Sequence, residues 1–219
     1  MKAIDFAFGG STLEMLATKE TSSPYVATLV PGTKCILVVK CKEYVKNLAD
    51  IGFQFERYVT GHDMSDTSSC KQVEHIHLNK VGDSTVLFRA EVDAIDSNGT
   101  PVEVKSSNPR YFGTRVMFQM ISSGSSSLCH GEKYRGTLTG VTLRSLSQVA
   151  RDALEYGNTV KELEQNILNG MDALKNQVKE DNKLYKISFS NGSLKAVETS
   201  DSEEYVVLPK ADIVNDLIN

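Results

Sequence analysis

Apolar and polar residues recur with two different periods along this chain, and the places where one period gives way to the other predict its elements. The helical period is clearest from Val160, where Val160, Leu163, Ile167, Met171, Leu174 and Val178 return every three or four residues. That spacing draws one stripe on an amphipathic helix. Thr159-Val160-Lys161-Glu162 starts it as a capping box, in which the Thr hydroxyl and Glu carboxylate answer two otherwise orphaned backbone N–H groups. Shorter helical stretches are predicted at 13–17, 43–50 and 111–123, the last with Phe112, Val116 and Met120 on one stripe and Gln119 close by. The strand period predicts strands at 6–8, 34–39, 53–59, 73–79, 135–143, 184–189, 193–197 and 204–208, with a closing helical turn at 211–218. Residues 61–71 and the serine-rich 122–127 read as polar loops. Mixed helices and hairpins predict an α+β or mixed α/β fold in a single domain over 1–219, with a central, mostly antiparallel or mixed sheet flanked by helices.

Between Val86 and Lys105 the two-residue period carries chemistry. Arg89-Ala90-Glu91-Val92-Asp93 and Pro101-Val102-Glu103-Val104-Lys105 flank Asn98-Gly99, a hairpin turn signal. Residues at i and i+2 of a strand share a face, so Glu91 pairs with Asp93 and Glu103 with Lys105. A two-residue loop would put Asp93 opposite Val104 and send the pairs to opposite faces. A three-residue loop, Ser97-Asn98-Gly99 with Gly99 left-handed, puts Asp93 opposite Glu103 and Glu91 opposite Lys105; this register is predicted because it gathers all four side chains. At ~4 Å and an effective dielectric near 20, each like-charged pair costs on the order of 4 kcal/mol. One lysine does not neutralise three carboxylates, so Mg²⁺ or Mn²⁺ is their natural completion, with positions left open for phosphate oxygens. The competing reading is a solvated hairpin with its charges outward and Val92, Val102 and Val104 inward.

Charge narrows the possible partners. The formal net charge is −4 over 219 residues, so no global basic field attracts nucleic acid, and a polyanion would need a local cleft and a metal. The four cysteines, Cys35, Cys41, Cys70 and Cys129, form no CxxC pair and are too sparse for a disulfide scaffold. They predict free, mostly buried thiols in a reducing compartment. Neither a signal peptide nor a membrane span is read in the chain, so nucleus or cytoplasm is the expected location.

Gly52-Phe53-Gln54-Phe55-Glu56 places an acid at the end of an aromatic stretch, where a strand would set Gln54 and Glu56 on the face opposite Phe53 and Phe55. His75 and His77 sit at i, i+2, but no third ligand accompanies them, and His62 and His130 fall in polar loops. No nucleophile elbow, P-loop or dinucleotide glycine motif is present.

Taken in order, these motifs resemble the DXO decapping exonuclease family, a relative of the D-(D/E)xK nucleases. The family signature runs Gly-Φ-x-Φ-Glu, Glu-Φ-Asp, Glu-Φ-Lys and then a glutamine on a following helix. Here it reads Gly52 to Glu56, Glu91-Val92-Asp93, Glu103-Val104-Lys105 and Gln119. The closing segment is similar too: a long helix, Lys186-Ile187-Ser188-Phe189, then Tyr205-Val206-Val207-Leu208-Pro209. The resemblance implies that Glu56, Glu91, Asp93 and Glu103, with the Val104 carbonyl, hold one or two Mg²⁺ or Mn²⁺ ions. It implies that Lys105 and Gln119 contact the scissile phosphate or the attacking water, with Glu56 also in the catalytic set. The implied activity is hydrolysis at RNA 5′ ends: removal of incomplete or NAD-type caps, release of pyrophosphate from triphosphates, and 5′-to-3′ exonuclease action. Two departures stand out. Gly9 occupies the place of a family arginine in Phe6-Ala7-Phe8-Gly9-Gly10-Ser11-Thr12-Leu13, with Arg57, Arg110 and Arg115 as possible substitutes, and the single catalytic domain is expected to be shortened at its N-terminus. A non-catalytic relative that binds RNA ends or a protein partner, and a D-(D/E)xK deoxyribonuclease, are the alternatives.

Overall fold

The computed structural model describes residues 3–21, 23–41, 50–62, 73–107, 113–154 and 159–199. Along them lie β1 (Phe6–Gly9), α1 (Thr12–Thr18), β2 (Tyr25–Leu29), β3 (Ile36–Lys40), α2 (Ile51–Val59), β4 (Val73–Val81), β5 (Ser84–Val92) and β6 (Ala94–Ile95). The chain continues through β7 (Pro101–Ser107), α3 (Thr114–Ser123), β8 (Ser127–Tyr134), β9 (Thr137–Ser145), α4 (Leu146–Leu154), α5 (Val160–Gln177), β10 (Leu184–Ser190) and β11 (Ser193–Thr199). The fold is mixed α/β, as the periodicity predicts. Its strands divide between two mixed sheets, ordered β11-β10-β2-β3-β1-β5-β4 and β6-β7-β8-β9. Two compact units result, one from 1–43, 77–89 and 159–219, the other from 44–76 and 90–158. None of the helices among the described residues is long and apolar enough to cross a membrane.

In the first unit β1 runs parallel to both β3 and β5, with Phe6 opposite Ile36 and Val86, and β2 and β10 continue the sheet antiparallel. Phe6, Phe8 and Phe88 are buried, and Phe8 meets Phe88 edge-on at 6.1 Å between centroids. Helix α5 has the predicted capping box, with the Glu162 N–H donating to Thr159 Oγ1 at 3.2 Å and the Thr159 N–H to Glu162 Oε2 at 2.9 Å. Its stripe Leu163, Ile167, Met171 and Leu174 is buried, and the helix packs on α1 and β11.

The second unit is built on β7 and β8, which run parallel with Glu103 opposite Leu128 and Lys105 opposite His130. β6 flanks β7 and β9 flanks β8, both antiparallel. Helix α2 packs on β7, α3 on β7 and α4, and α4 on β9. Gly131 permits the approach of α2, because a methyl group there would fall 2.9 Å from Phe55 Cζ and 2.7 Å from Leu138 Cδ1.

Three local readings change. Residues 53–59 form helix α2, not a strand. Ile51, Phe55, Tyr58 and Val59 also fit a helical stripe, and the Asp50 carboxylate caps the helix by accepting the Gly52 N–H at 2.8 Å. Within it the Arg57 guanidinium lies 5.8 Å from the Phe53 ring centroid, one turn away. The serine-rich 122–127 is a loop only at 124–126, between the end of α3 and the start of β8, and His130 sits in β8, not in a loop. The predicted elements at 204–208 and 211–218, and those at 43–50 and 61–71 apart from Asp50, Gly61 and His62, lie outside the described residues. Cys35, Cys41 and Cys129 are free thiols, and burial pushes that of Cys35 up to about 12, with the charge of Asp5 adding to the effect; Cys70 lies outside the described residues.

Candidate active site

Asp96 shapes the turn that sets the site. Its Oδ1 accepts the Asn98 N–H at 2.9 Å and the Thr100 N–H at 2.8 Å, and its own N–H donates to the Thr100 carbonyl at 3.0 Å. Gly99 takes φ +80°, the left-handed conformation that glycine adopts without steric cost. The loop is thus Ser97-Asn98-Gly99, and it places Ala94 opposite Val102 and Ile95 opposite Pro101. One step back along the same register, Asp93 faces Glu103. This is the predicted register, and a slip of one residue would have separated the two acids.

Asp93 stands at the break between β5 and β6, where it meets two other charged groups. Asp93 Oδ2 accepts the Val104 N–H at 2.9 Å and the Lys105 ammonium at 2.8 Å. The same ammonium lies 2.6 Å from Glu103 Oε1. Glu103 and Lys105 share a face because they are two apart on β7, while Val104 turns into the core on the other side. The Glu103 side chain is only 5% exposed. Its carboxyl is pushed up to about 7, first by burial and then by the charge of Asp93, against the opposing pull of Lys105. For Lys105, burial alone would lower the pKa, but Glu103 and Asp93 prevail and hold the ammonium above its usual range. With both acids ionised, the cluster keeps one uncompensated negative charge.

The other predicted residues are placed on nearby elements. Glu91 is exposed on β5, before the β6–β7 ladder begins, so its predicted pairing opposite Lys105 lies beyond the ladder. Gln119 is half-buried on α3, which packs on β7. Glu56 is half-buried on α2, and that helix sets Phe55 against Gly131 and Gly52 over Ser106. Ser106 and Gly131 point to the face of the sheet opposite Glu103 and Lys105. Among the described residues, no three His, Cys, Asp or Glu side chains converge closely enough to hold a metal ion. The donor chemistry nevertheless suits a hard divalent cation: carboxylate oxygens, one of them buried and short of positive charge.

His75 and His77 form no metal clip. His75 Nδ1 lies 2.7 Å from the Ser123 carbonyl, and the His77 ring stacks on Phe88 at 5.3 Å. Of the arginines considered beside Gly9, Arg57 is buried, Arg115 is exposed, and Arg110 lies outside the described residues. Gly9 itself ends β1 opposite Arg89, and a Cβ built on it meets no atom within 4 Å. His130 is the residue that sequence reasoning missed: it is 1% exposed, it is paired across the strands with Lys105, and its Nε2 lies 3.0 Å from the Ser107 carbonyl. Its only sequence signal was the alternation Leu128, His130, Glu132, which the preceding serines obscured.

No family model and no curated protein matches the sequence, whereas solved structures match its fold closely. Rai1 of S. pombe in complex with 3′-FADP superposes with a TM-score of 0.72 at 17% identity, over 91% of this chain and 73% of that one. The chain has the Rai1 fold. Rai1 of Scheffersomyces stipitis in complex with (3′-NADP)+ and calcium gives a TM-score of 0.68 at 12% identity, over 100% of this chain and 74% of that one. Rai1 of Candida albicans in complex with pU5-Mn2+ gives 0.65 at 13% identity, over 100% and 76%. Rai1 proteins belong to the DXO decapping exonuclease family, the family that the motif order in this sequence resembles.

Proposed function

We propose that this chain is a divalent-metal-dependent hydrolase of RNA 5′ ends. The observation that carries the reading is the knot of Asp93, Glu103 and Lys105 at the hairpin, found in a chain with the Rai1 fold. In this reading Asp93 and Glu103 hold the cation, with Glu91, Glu56 and the Val104 carbonyl completing its shell. Neighbours of the same fold carry calcium or Mn²⁺ with a dinucleotide or pU5, which supports both the cation and a nucleotide 5′ end as ligands. A bound Mg²⁺ or Mn²⁺ would lower the pKa of a coordinated water and offset charge on the phosphate. The chain's own residues do the rest. Asp93 is oriented by the Val104 N–H, Lys105 faces the charge that builds on the non-bridging phosphate oxygens, and Gln119 orients the attacking water. The substrate class is an RNA bearing a triphosphate, an incomplete cap or an NAD-type cap.

A second reading is a relative that binds RNA ends without cutting them. It is favoured by Gly9 in place of the family arginine and by the ion pairs that both acids already make with Lys105. One experiment separates the two: Mg²⁺- and Mn²⁺-dependent product release from RNAs with NAD, triphosphate, unmethylated-cap or monophosphate ends, with Asp93→Ala as control. The hydrolase releases product from at least one end and loses that activity in Asp93→Ala. Absence of product from folded, metal-saturated protein that still retains RNA in chelator selects the binding protein. A DNA strand added to the same panel and cleaved without regard to 5′-end chemistry would select the deoxyribonuclease.

A further inference from the structure

We propose that His130 is a positioning residue for Lys105, an inference that rests on reading Lys105 as the working cation of the site. Lys105 and His130 are direct partners in the parallel β7–β8 ladder, so their side chains rise from the same face about 4.8 Å apart. His130 is 1% exposed, and its Nε2 lies 3.0 Å from the Ser107 carbonyl. A carbonyl only accepts, so Nε2 carries the proton and donates it, which fixes the tautomer. Burial, helped by the charge of Arg144, lowers the pKa of the imidazole against the opposing pull of the Ser107 carbonyl and Glu132.

The consequence lies in where these bonds fall along β7. On one side of Lys105, the Val104 N–H is held by Asp93 Oδ2 at 2.9 Å. On the other side, the Ser107 carbonyl is held by His130. Lys105 is therefore bracketed by two side-chain bonds to its own strand, one from the hairpin and one from β8. The first bond belongs to the acidic knot itself. The second is the only one of the pair supplied by a residue outside the predicted motifs, and it ties the strand two residues past Lys105 to a side chain of β8.

The test compares His130→Leu, which removes the donor at similar volume, with His130→Gln, whose Nε2 keeps it. Thermal unfolding is measured alongside to establish that each variant folds. Against the best RNA 5′ end with Mn²⁺, His130→Leu is expected to lower kcat by about 10- to 100-fold with KM within about threefold, the usual cost of misplacing a catalytic group. His130→Gln is expected to recover most of that loss. A second readout needs no activity: the Nζ resonance of Lys105 in ¹⁵N-lysine-labelled protein, assigned with Lys105→Arg. It should shift in His130→Leu and return in His130→Gln. Equal losses of kcat in both variants, or a Lys105 resonance unmoved by His130→Leu, would overturn the proposal. If wild-type protein cuts no RNA end, the proposed function fails while the resonance still decides the role of His130.

Discussion

A carboxyl nearly sealed from water, sharing one ammonium with a neighbouring acid, makes stability depend on pH. Glu103 titrates at about 7 in the fold, against an ordinary 4.5, with burial the main cause. Folding therefore favours its protonated form. The stabilisation this gives is fully present below pH about 4.5 and is lost as pH rises through about 7, amounting to roughly 3 kcal/mol. Denaturant melts in chelator should show stability falling over that window, and Glu103→Gln should flatten the fall; an unchanged slope in that variant would place the titration elsewhere. Because a metal ligand must be deprotonated, Mn²⁺ affinity should rise with pH up to about 7 and binding should release a proton, which isothermal calorimetry in two buffers can count. Asp93 has a separate duty. Asp93→Asn can still accept the Val104 N–H and should cost about 1 kcal/mol or less, whereas Asp93→Ala leaves that N–H unanswered and should cost about 1–3 kcal/mol. Both should lower hydrolysis by at least about 100-fold if the carboxylate holds the cation, so stability and activity separate in the Asn variant. Gly9 offers the converse test. A side chain there meets open space, so Gly9→Arg should leave the melting temperature within about 2 °C. With the arginine that the family resemblance places there restored, binding to a 5′-triphosphate RNA should also tighten about tenfold, a charge-assisted fork on phosphate being worth roughly that much.

Among the elements, α2 shows how a short segment can satisfy two periods. Gly52-Phe53-Gln54-Phe55-Glu56 alternates as a strand would, yet its ends favour a helix. Asp50 answers the Gly52 N–H at the start, and at the finish the Thr60 N–H bonds the Glu56 carbonyl at 3.1 Å. Between them Arg57 folds over Phe53, which only a helical i, i+4 spacing allows. Asp50→Ala should therefore cost about 1 kcal/mol, a usual value for an N-cap. Phe55→Ala, which empties the contact with Gly131, should cost about 3–5 kcal/mol. Equilibrium unfolding measures both, and a Phe55 cost near zero would mean that α2 is not anchored to the sheet there. The helix also changes how Glu56 is read. As the end of a strand it would have shared a face with Gln54; on α2 its direction follows the helical turn, and its family role has to be tested by substitution.

At the scale of the whole molecule, net charge limits how the proposed RNA substrate would be held. With −4 overall, binding should depend on divalent cation and only weakly on monovalent salt, with a log–log slope of roughly −1 to −2, far shallower than that of a broadly basic binder. Filter binding across a salt series checks this, and a slope steeper than about −5 would reveal a basic surface that the charge balance conceals. Much of the architecture was legible because its causes are local. The α5 stripe and its capping box, the β10–β11 hairpin, and the three-residue loop that sets Asp93 against Glu103 all follow from residues close together in sequence, where periodicity and turn stereochemistry act directly. The pairing of Glu103 with Lys105 is equally local, being two positions on one strand. What only the tertiary structure decided depends on partners distant in sequence: the division of the strands into two sheets and the burial that raises Glu103. So does the parallel register that sets His130 beside Lys105. A parallel pair needs a crossover between its strands, so no turn fixes its register, and packing of the intervening chain has to choose it.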